Sequence, residues 1–403
     1  MVVIAKGKSP VKPGDIASVR SASEPLFDPS DFHLEPGVVH VCAAGETPFL
    51  RRHAAAFDAY ARDKSRGGEG RELEYDKVSA ARERVARFLG VSFDDIGFVP
   101  TVADGMTAVV SAVDWDEGDN ACVLAIEIPS MTLPLSLRLR PPVDLRVFSD
   151  AGQLLEHVDS RTRVISVSHV SYWSSERVDL EPLRKAADRV GAMLVVDYTH
   201  SAGAIPIDLS VADFGFSACY KWLLGCTGVA VAFWNRARMP TWSPRTGGWN
   251  SIVLPNMPDA GNPGTTKPGA ARFTFGNPSF PSVYVLDEAI RYLEGFGIEV
   301  IYAHDQQLVQ RFIDRVDQRG LPLLTPRDLA RRGSSVSLTM TEPDHLRGEQ
   351  GDLGDSPGLI HRLQARSILA WGGQERLRVS FHGYNSLSDV DRLLAVLDEE
   401  WRG

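Results

Sequence analysis

Hydrophobic and polar positions change rhythm several times along this chain. Residues 48–65 and 72–89 repeat apolar positions at helical spacing. The second run, ELEYDKVSAARERVARFLG, closes on Gly90, a residue suited to a left-handed C-cap. Beyond it, short apolar runs alternate with amphipathic ones. IGFVP predicts a strand and TVADGMTAVVSAV the helix that follows. NACVLAIE and RVISVSHV predict further strands, DLEPLRKAADRVG an amphipathic helix, and AMLVVDY another strand. ADFGFSACY then leads to GVAVAFWN, a short buried strand. Strands spaced by helices predict an α/β fold, a mostly parallel sheet with helices on both faces. Ligands of such sheets sit beyond the C-terminal strand ends, and Asp197 falls at one of them.

Both ends of the chain follow a different pattern. Residues 1–45 are rich in Pro and Asp and poorly periodic, which predicts an N-terminal arm. A large domain is expected over 46–290, including a Gly/Pro-rich loop at 255–271 and a helix over SVYVLDEAIRYLEGFG. A smaller α+β domain is expected over 291–403. It holds a helix at 299–318, SSVSLTM as an extended run, a polar loop at 341–357, a helix at 358–367, and LRVSFH before a last helix. No internal repeat is visible.

Composition narrows the partners. The net charge of −9 argues against non-specific nucleic-acid binding, but leaves room for anionic small molecules read by local charge. No run approaches the ~20 apolar residues of a membrane helix, and the opening MVVIAKGKSPVKPGD has no signal-peptide core. Cys42, Cys122, Cys219 and Cys226 show neither zinc spacing nor a disulfide framework. The expectation is a soluble cytoplasmic protein with no metal, membrane or nucleic-acid partner.

Chemistry concentrates in VVDYTHSAGAIPIDLSVADFGFSACYKWLLG, residues 195–225. The other lysines lie in polar contexts, whereas Lys221 stands between SACY and WLLG. Desolvation lowers a lysine pKa and favours the nucleophilic amine. Alone, Lys221 also reads as a lysine whose stem packs while its head reaches water. Asp197, alone, also reads as a helix N-cap or half of a structural ion pair. Together they match what pyridoxal phosphate requires: a lysine for the Schiff base and an acid that keeps the pyridine nitrogen protonated. His200 reads as structural or catalytic, and Tyr220 as core or as a phosphate contact.

The same stretch resembles the class V aminotransferase superfamily of fold-type I enzymes, through D-x-x-H-x-x-G, P-x-D, A-D and Y-K followed by an aromatic. That superfamily includes kynureninases, isopenicillin-N-epimerase-like proteins, cysteine desulfurases and C–S lyases. The resemblance implies pyridoxal 5′-phosphate on Lys221, with Asp197, His200 and Tyr220 around it. It also implies that TVADGMTAVV cradles the phosphate, with Thr101 and Val102 at a helix N-terminus that favours an anion. IEIPSMTLP matches the segment over the pyridine ring. Here Ile128 and Met131 stand where kynureninases carry an aromatic and an Asp, and Glu127 and Ser130 remain as polar groups. SHVSYWSSERVDL resembles the strand and turn facing the substrate. SPRTGGWNS and FGNPSF imply a homodimer with shared sites, in which Trp249 and Asn277 reach the opposite subunit's phosphate; Asn277 replaces a family Thr. RLRVSFHGYN places Arg378 where the family binds the substrate α-carboxylate, a task suited to a guanidinium fork. Without the family, Arg378 reads equally as a surface strand arginine.

The resemblance implies an enzyme acting on an amino acid. The β-substituent is lost in elimination, the amino group moves in transamination, and Cα inverts in epimerisation; decarboxylating oxidative deamination is a fourth route. The family's desulfurases use a nucleophilic Cys on a loop near the C-terminal domain, and no cysteine follows Cys226. The changes at Ile128 and Asn277 count against a true kynureninase. The reading leans to β-elimination of the C–S lyase kind. No helix-turn-helix supports a regulator.

Overall fold

The computed structural model describes residues 21–137, 142–253, 261, 264–339, 356–373 and 376–400. The first twenty residues of the expected arm, much of the Gly/Pro-rich loop and nearly all of the expected loop at 341–357 lie outside the described residues.

Seven strands form the central sheet: β1 (Ile96–Val99), β2 (Asn120–Leu124), β3 (Asp144–Phe148), β4 (Thr162–Ser168), β5 (Met193–Asp197), β6 (Phe214–Ala218) and β7 (Ala230–Trp234). Their order is β1-β7-β6-β5-β4-β2-β3. Only β7 runs against the others. The mostly parallel sheet expected from the alternation is therefore present. It places the C-terminal ends of β1, β2, β4, β5 and β6 along one edge.

Side-chain alternation along β5 explains how the sheet is covered. Leu194 and Val196 join a cluster on one face, whereas Val195 joins a cluster on the other. The first cluster includes Leu183, Ala186 and Ala187 of α6 (Leu180–Val190). Asp179 caps that helix by accepting from Glu181 N at 3.1 Å. The opposite cluster takes Val102 and Met106 from α3 (Val102–Ser111) and Met131 and Leu135 from α4 (Pro129–Ser136). Each buried Val, Leu or Met side chain here contributes roughly 1.5–3 kcal/mol. Asp197 shares the parity of Val195, so it faces the α3 side.

The helices before β1 are α1 (His53–Lys64) and α2 (Gly67–Leu89), and α2 does end on Gly90, at φ 72°. Three elements were not legible in the pattern. β3 carries alternating charges because it is the sheet's edge strand. α4 opens on Pro129 and contains Pro134, a residue that breaks helical patterns. The third, α5 (Ala151–His157), has only seven residues and buries only Leu154.

The long α7 (Phe280–Glu294) packs on α1 and α2, and α8 (Ile298–Gln318) enters the smaller C-terminal domain. There β8 (Ser335–Thr339), β9 (Trp371–Gly372) and β10 (Arg376–Ser380) form an antiparallel sheet with β10 in the middle. Phe312, Val336, Leu377 and Val379 share its core with Leu393 of α9 (Leu387–Glu400). Near the N-terminus, Val39 and Val41 join this core while Phe27 and Phe32 enter the large one. No helix among the described residues is long and apolar enough to cross a membrane.

Candidate active site

Parallel strand ends assemble the site. Thr101 follows β1, Glu127 and Ile128 follow β2, and Ser168 closes β4. Asp197 closes β5, and Lys221 lies three residues beyond β6. Registers place Ser168 beside Asp197 and Asp197 beside Phe216. Residues far apart in sequence thus meet because their strands are neighbours.

Asp197 is 3 % exposed, and its Oδ1 accepts from Thr199 N at 2.7 Å. The Thr199 hydroxyl in turn accepts from Ala218 N at 3.0 Å, tying the turn after β5 to the end of β6. Lys221 is 7 % exposed, and its Nζ lies 3.1 Å from His200 Nε2. The Thr47 hydroxyl fastens the lysine loop by donating to Lys221 O at 3.0 Å. Gly203 adopts φ +89°, and a Cβ there would stand 2.4 Å from Trp222 O. The glycine of D-x-x-H-x-x-G is therefore required for the two loops to touch. Leu224 takes the left-handed region at φ 56°, a strained conformation for a non-glycine residue beside the lysine.

Burial sets the charges. It lowers the Lys221 amine to about 8, while the Asp197 charge opposes it. Burial also raises the Asp197 carboxyl, against the Thr199 hydrogen bonds and the Lys221 charge. His200 is held well below its ordinary range by burial, then by Lys221, Arg378 and Arg376. A neutral imidazole therefore accepts from the lysine ammonium. Glu127 is buried and pushed up to about 7, chiefly by desolvation; it accepts from Ser168 N at 2.8 Å and Ser168 Oγ at 2.5 Å.

Thr101 is the N-cap of α3, accepting from Asp104 N at 3.2 Å and donating to Asp104 Oδ2 at 2.6 Å. Val102 behind it is buried. Ile128 is half-buried at the start of α4 and packs on the α3-side core. Tyr220 is half-buried, with its ring 5.7 Å from Lys221 Nζ. Trp249 and Asn277 are exposed, Trp249 at 49 %. Neither hydrogen-bonds to Lys221, Asp197 or His200 among the described residues; Asn277 accepts from Tyr75 Oη at 2.9 Å. Asn277 lines a cavity of about 200 Å³ with Pro100, Asp104, Thr107 and Thr246.

Arg378 projects from β10 and is 5 % exposed; its Nη1 donates to Tyr172 O at 2.9 Å. Its charge reaches both Lys221 and His200. The structure also brings in residues that sequence reasoning passed over. Cys42 and Glu46 lie near enough to act on the Lys221 charge. Their segment, VCAAGETPF, has no periodicity to draw notice. Arg376 was legible in principle: it stands two residues before Arg378, on the same face of the strand.

The lysine and the acid stand at adjoining strand ends, and the Thr101-capped helix opens on the same edge of the sheet. The chain belongs to the aminotransferase class-V family, whose model matches residues 56–393. It is a pyridoxal-phosphate-dependent enzyme. The chain is 27 % identical to a probable cysteine desulfurase of Pyrococcus abyssi, over 81 % of this chain and 84 % of that protein. It is 25 % identical to the kynureninase of Burkholderia mallei, over 79 % of each. A solved complex of the cystine C–S lyase C-DES with its product cysteine persulfide shares the fold, with TM-score 0.78 and 19 % identity, over 90 % of this chain and 97 % of that one.

Proposed function

We propose that this protein is a β-eliminating lyase that cleaves a carbon–sulfur bond in an amino acid. The observation that carries the reading is a buried amine at Lys221, depressed to about 8, with a buried acid and a buried guanidinium acting on it. The residues present fit pyridoxal phosphate: a desolvated lysine for the aldehyde, a buried carboxylate at a strand end, and a helix N-terminus capped by Thr101 for the phosphate. When bound, the cofactor supplies an aldehyde carbon and a protonated ring that accepts electrons from Cα.

The protein's groups then have separate tasks. Asp197 would keep the proton on the ring nitrogen. Arg378 fixes the substrate α-carboxylate. The Lys221 amine would take the Cα proton, and neutral His200 would orient that amine through Nε2. The electron pair left at Cα would expel the sulfur from Cβ, and the sulfur would leave as a thiol by taking up the proton that Lys221 holds. The remaining aminoacrylate hydrolyses to pyruvate and ammonia.

C–S cleavage without desulfuration is supported by the cysteines. None follows Cys226, and Cys42, which lies near Lys221, has its thiol pushed up by burial and so kept in the unreactive protonated form. Trp249 and Asn277 take their place in this reading as groups offered to a second copy of the chain across a two-fold axis. The exposure of both residues, with Asn277 lining a cavity, supports a homodimer with shared sites. Four cysteines free of disulfides suit a reducing cytoplasm.

The test is incubation of the purified enzyme with a panel of amino acids that includes S-substituted cysteines. Pyruvate and free thiol in equal amounts are expected. Lys221→Ala should lower turnover by at least ~10⁴-fold and abolish borohydride-reducible cofactor. A keto acid that retains the side chain, an inverted substrate, or released CO2 in place of pyruvate and thiol would replace elimination with one of the other three reactions.

A further inference from the structure

Arg376 and Arg378 lie two residues apart on β10 and project on the same face. Both donate through Nη1 to Tyr172 O, at 3.1 Å and 2.9 Å. Arg376 Nη1 also donates to Trp173 O. The Trp371 ring lies 4.8 Å from each guanidinium carbon, and Trp173 lies 4.0 Å from that of Arg376. Arg376 is fully buried, yet its Nε and Nη2 meet no acceptor among the described residues, and neither does Nε of Arg378. No ion pair among the described residues joins either arginine to a carboxylate.

Buried charge without a partner is unfavourable, and here two like charges share one pocket. Burial pulls both guanidiniums down to about 10, and the Arg378 charge pushes Arg376 further the same way. Arg378 acts on Lys221 and His200, and Arg376 shares Tyr172 O and the Trp371 ring with it, so the two arginines stand side by side at the Lys221 pocket. One α-carboxylate neutralises one arginine. A second cation remains, with donors free and aromatic rings on either side.

We propose that Arg376 is a specificity-determining residue that selects substrates carrying a second anionic group beyond the α-carboxylate. The proposal rests on Arg378 as the α-carboxylate anchor, and it holds whichever bond the enzyme breaks. Nε and Nη2 of Arg376 form the fork edge that a carboxylate matches bidentately. Trp371, half-buried over both guanidiniums, is the side chain beside which that group must pass. The substrate class is therefore a dianionic amino acid, such as a cysteine S-linked to a carboxyalkyl chain.

The experiment measures rapid-mixing binding of two isosteric pairs to the cofactor-loaded enzyme. The probes are S-carboxymethyl- and S-carboxyethyl-L-cysteine, each against its uncharged side-chain amide. The acid is expected to bind at least ~10-fold more tightly than its amide in one or both pairs. Arg376→Gln should erase that preference while leaving affinity for the amides within ~3-fold. Arg376→Lys, which keeps the charge and loses the fork, should retain part of the preference and serves where the Gln variant folds poorly. Arg378→Lys should weaken acids and amides alike, which tests the anchor separately. Equal wild-type affinity for acid and amide in both pairs would overturn the proposal. So would equal losses for acid and amide in both Arg376 variants, which would make the residue a brace for the Tyr172–Trp173 turn.

Discussion

Arg184 and Arg238 meet on Asp213 at one edge of the sheet, while Arg376 and Arg378 face the Lys221 pocket at the other. Asp213 precedes β6, so it lies at the end opposite Lys221. Its carboxylate accepts from Arg184 Nη1 at 2.6 Å, Arg238 Nε at 2.9 Å and Leu194 N at 2.8 Å. Arg184 reaches Asp188 as well, at 2.8 Å. The β10 arginines have only backbone carbonyls among the described residues. At Asp213 the chain itself supplies the counter-charge; for the β10 arginines we propose that a ligand supplies it. The difference is visible in partners and not in burial, since Arg184 and Arg378 are buried alike.

The contrast can be broken first by stability. Asp213→Ala leaves Arg184 buried without its main partner and should destabilise the protein by about 3–5 kcal/mol. Arg378→Met removes a cation that has no carboxylate, and should leave stability within ~1 kcal/mol of wild type. Denaturant unfolding of both variants measures the pair. Similar losses would show that the β10 arginines are structural after all.

A second test separates catalysis from cofactor retention. Asp197→Ala should lower kcat by ~10²-fold or more while the protein still binds pyridoxal phosphate, because a preorganised charge matters most when the ring takes up electrons. Steady-state kinetics alongside cofactor titration reads both quantities. Near wild-type turnover would mean that another group holds the ring nitrogen.

The smallest effect concerns Glu127. Burial raises its carboxyl from 4.5 to about 7, so the folded protein holds a proton that the unfolded chain releases. Its contribution is fully present below pH ~4.5 and is lost as pH rises towards ~7, on the order of 3 kcal/mol. Glu127→Gln keeps the protonated shape and should flatten that part of the stability profile. Chemical denaturation at pH 5 and pH 7.5 gives the comparison, and an unchanged slope in the variant would assign the loss to other groups.

Much of this molecule follows from short-range sequence pattern. Two-residue and helical periodicity is a property of local backbone geometry, so β4, β5, α2 and α6 were legible, as was the left-handed cap at Gly90. Lys221 and Asp197 stood out for the same reason, as ionisable residues inside apolar runs. Where local signals were mixed, as in the proline-bearing α4 or the charged edge strand β3, the pattern was silent. The sequence by itself therefore determined the fold class and the family resemblance, and singled out Lys221 as the candidate amine. Only the tertiary structure decided which strand ends adjoin, and so brought Glu127 to Ser168, Thr47 to the lysine loop and two arginines to Tyr172. Burial and partner count arise from packing between distant segments, and no window of sequence contains both sides of such a contact.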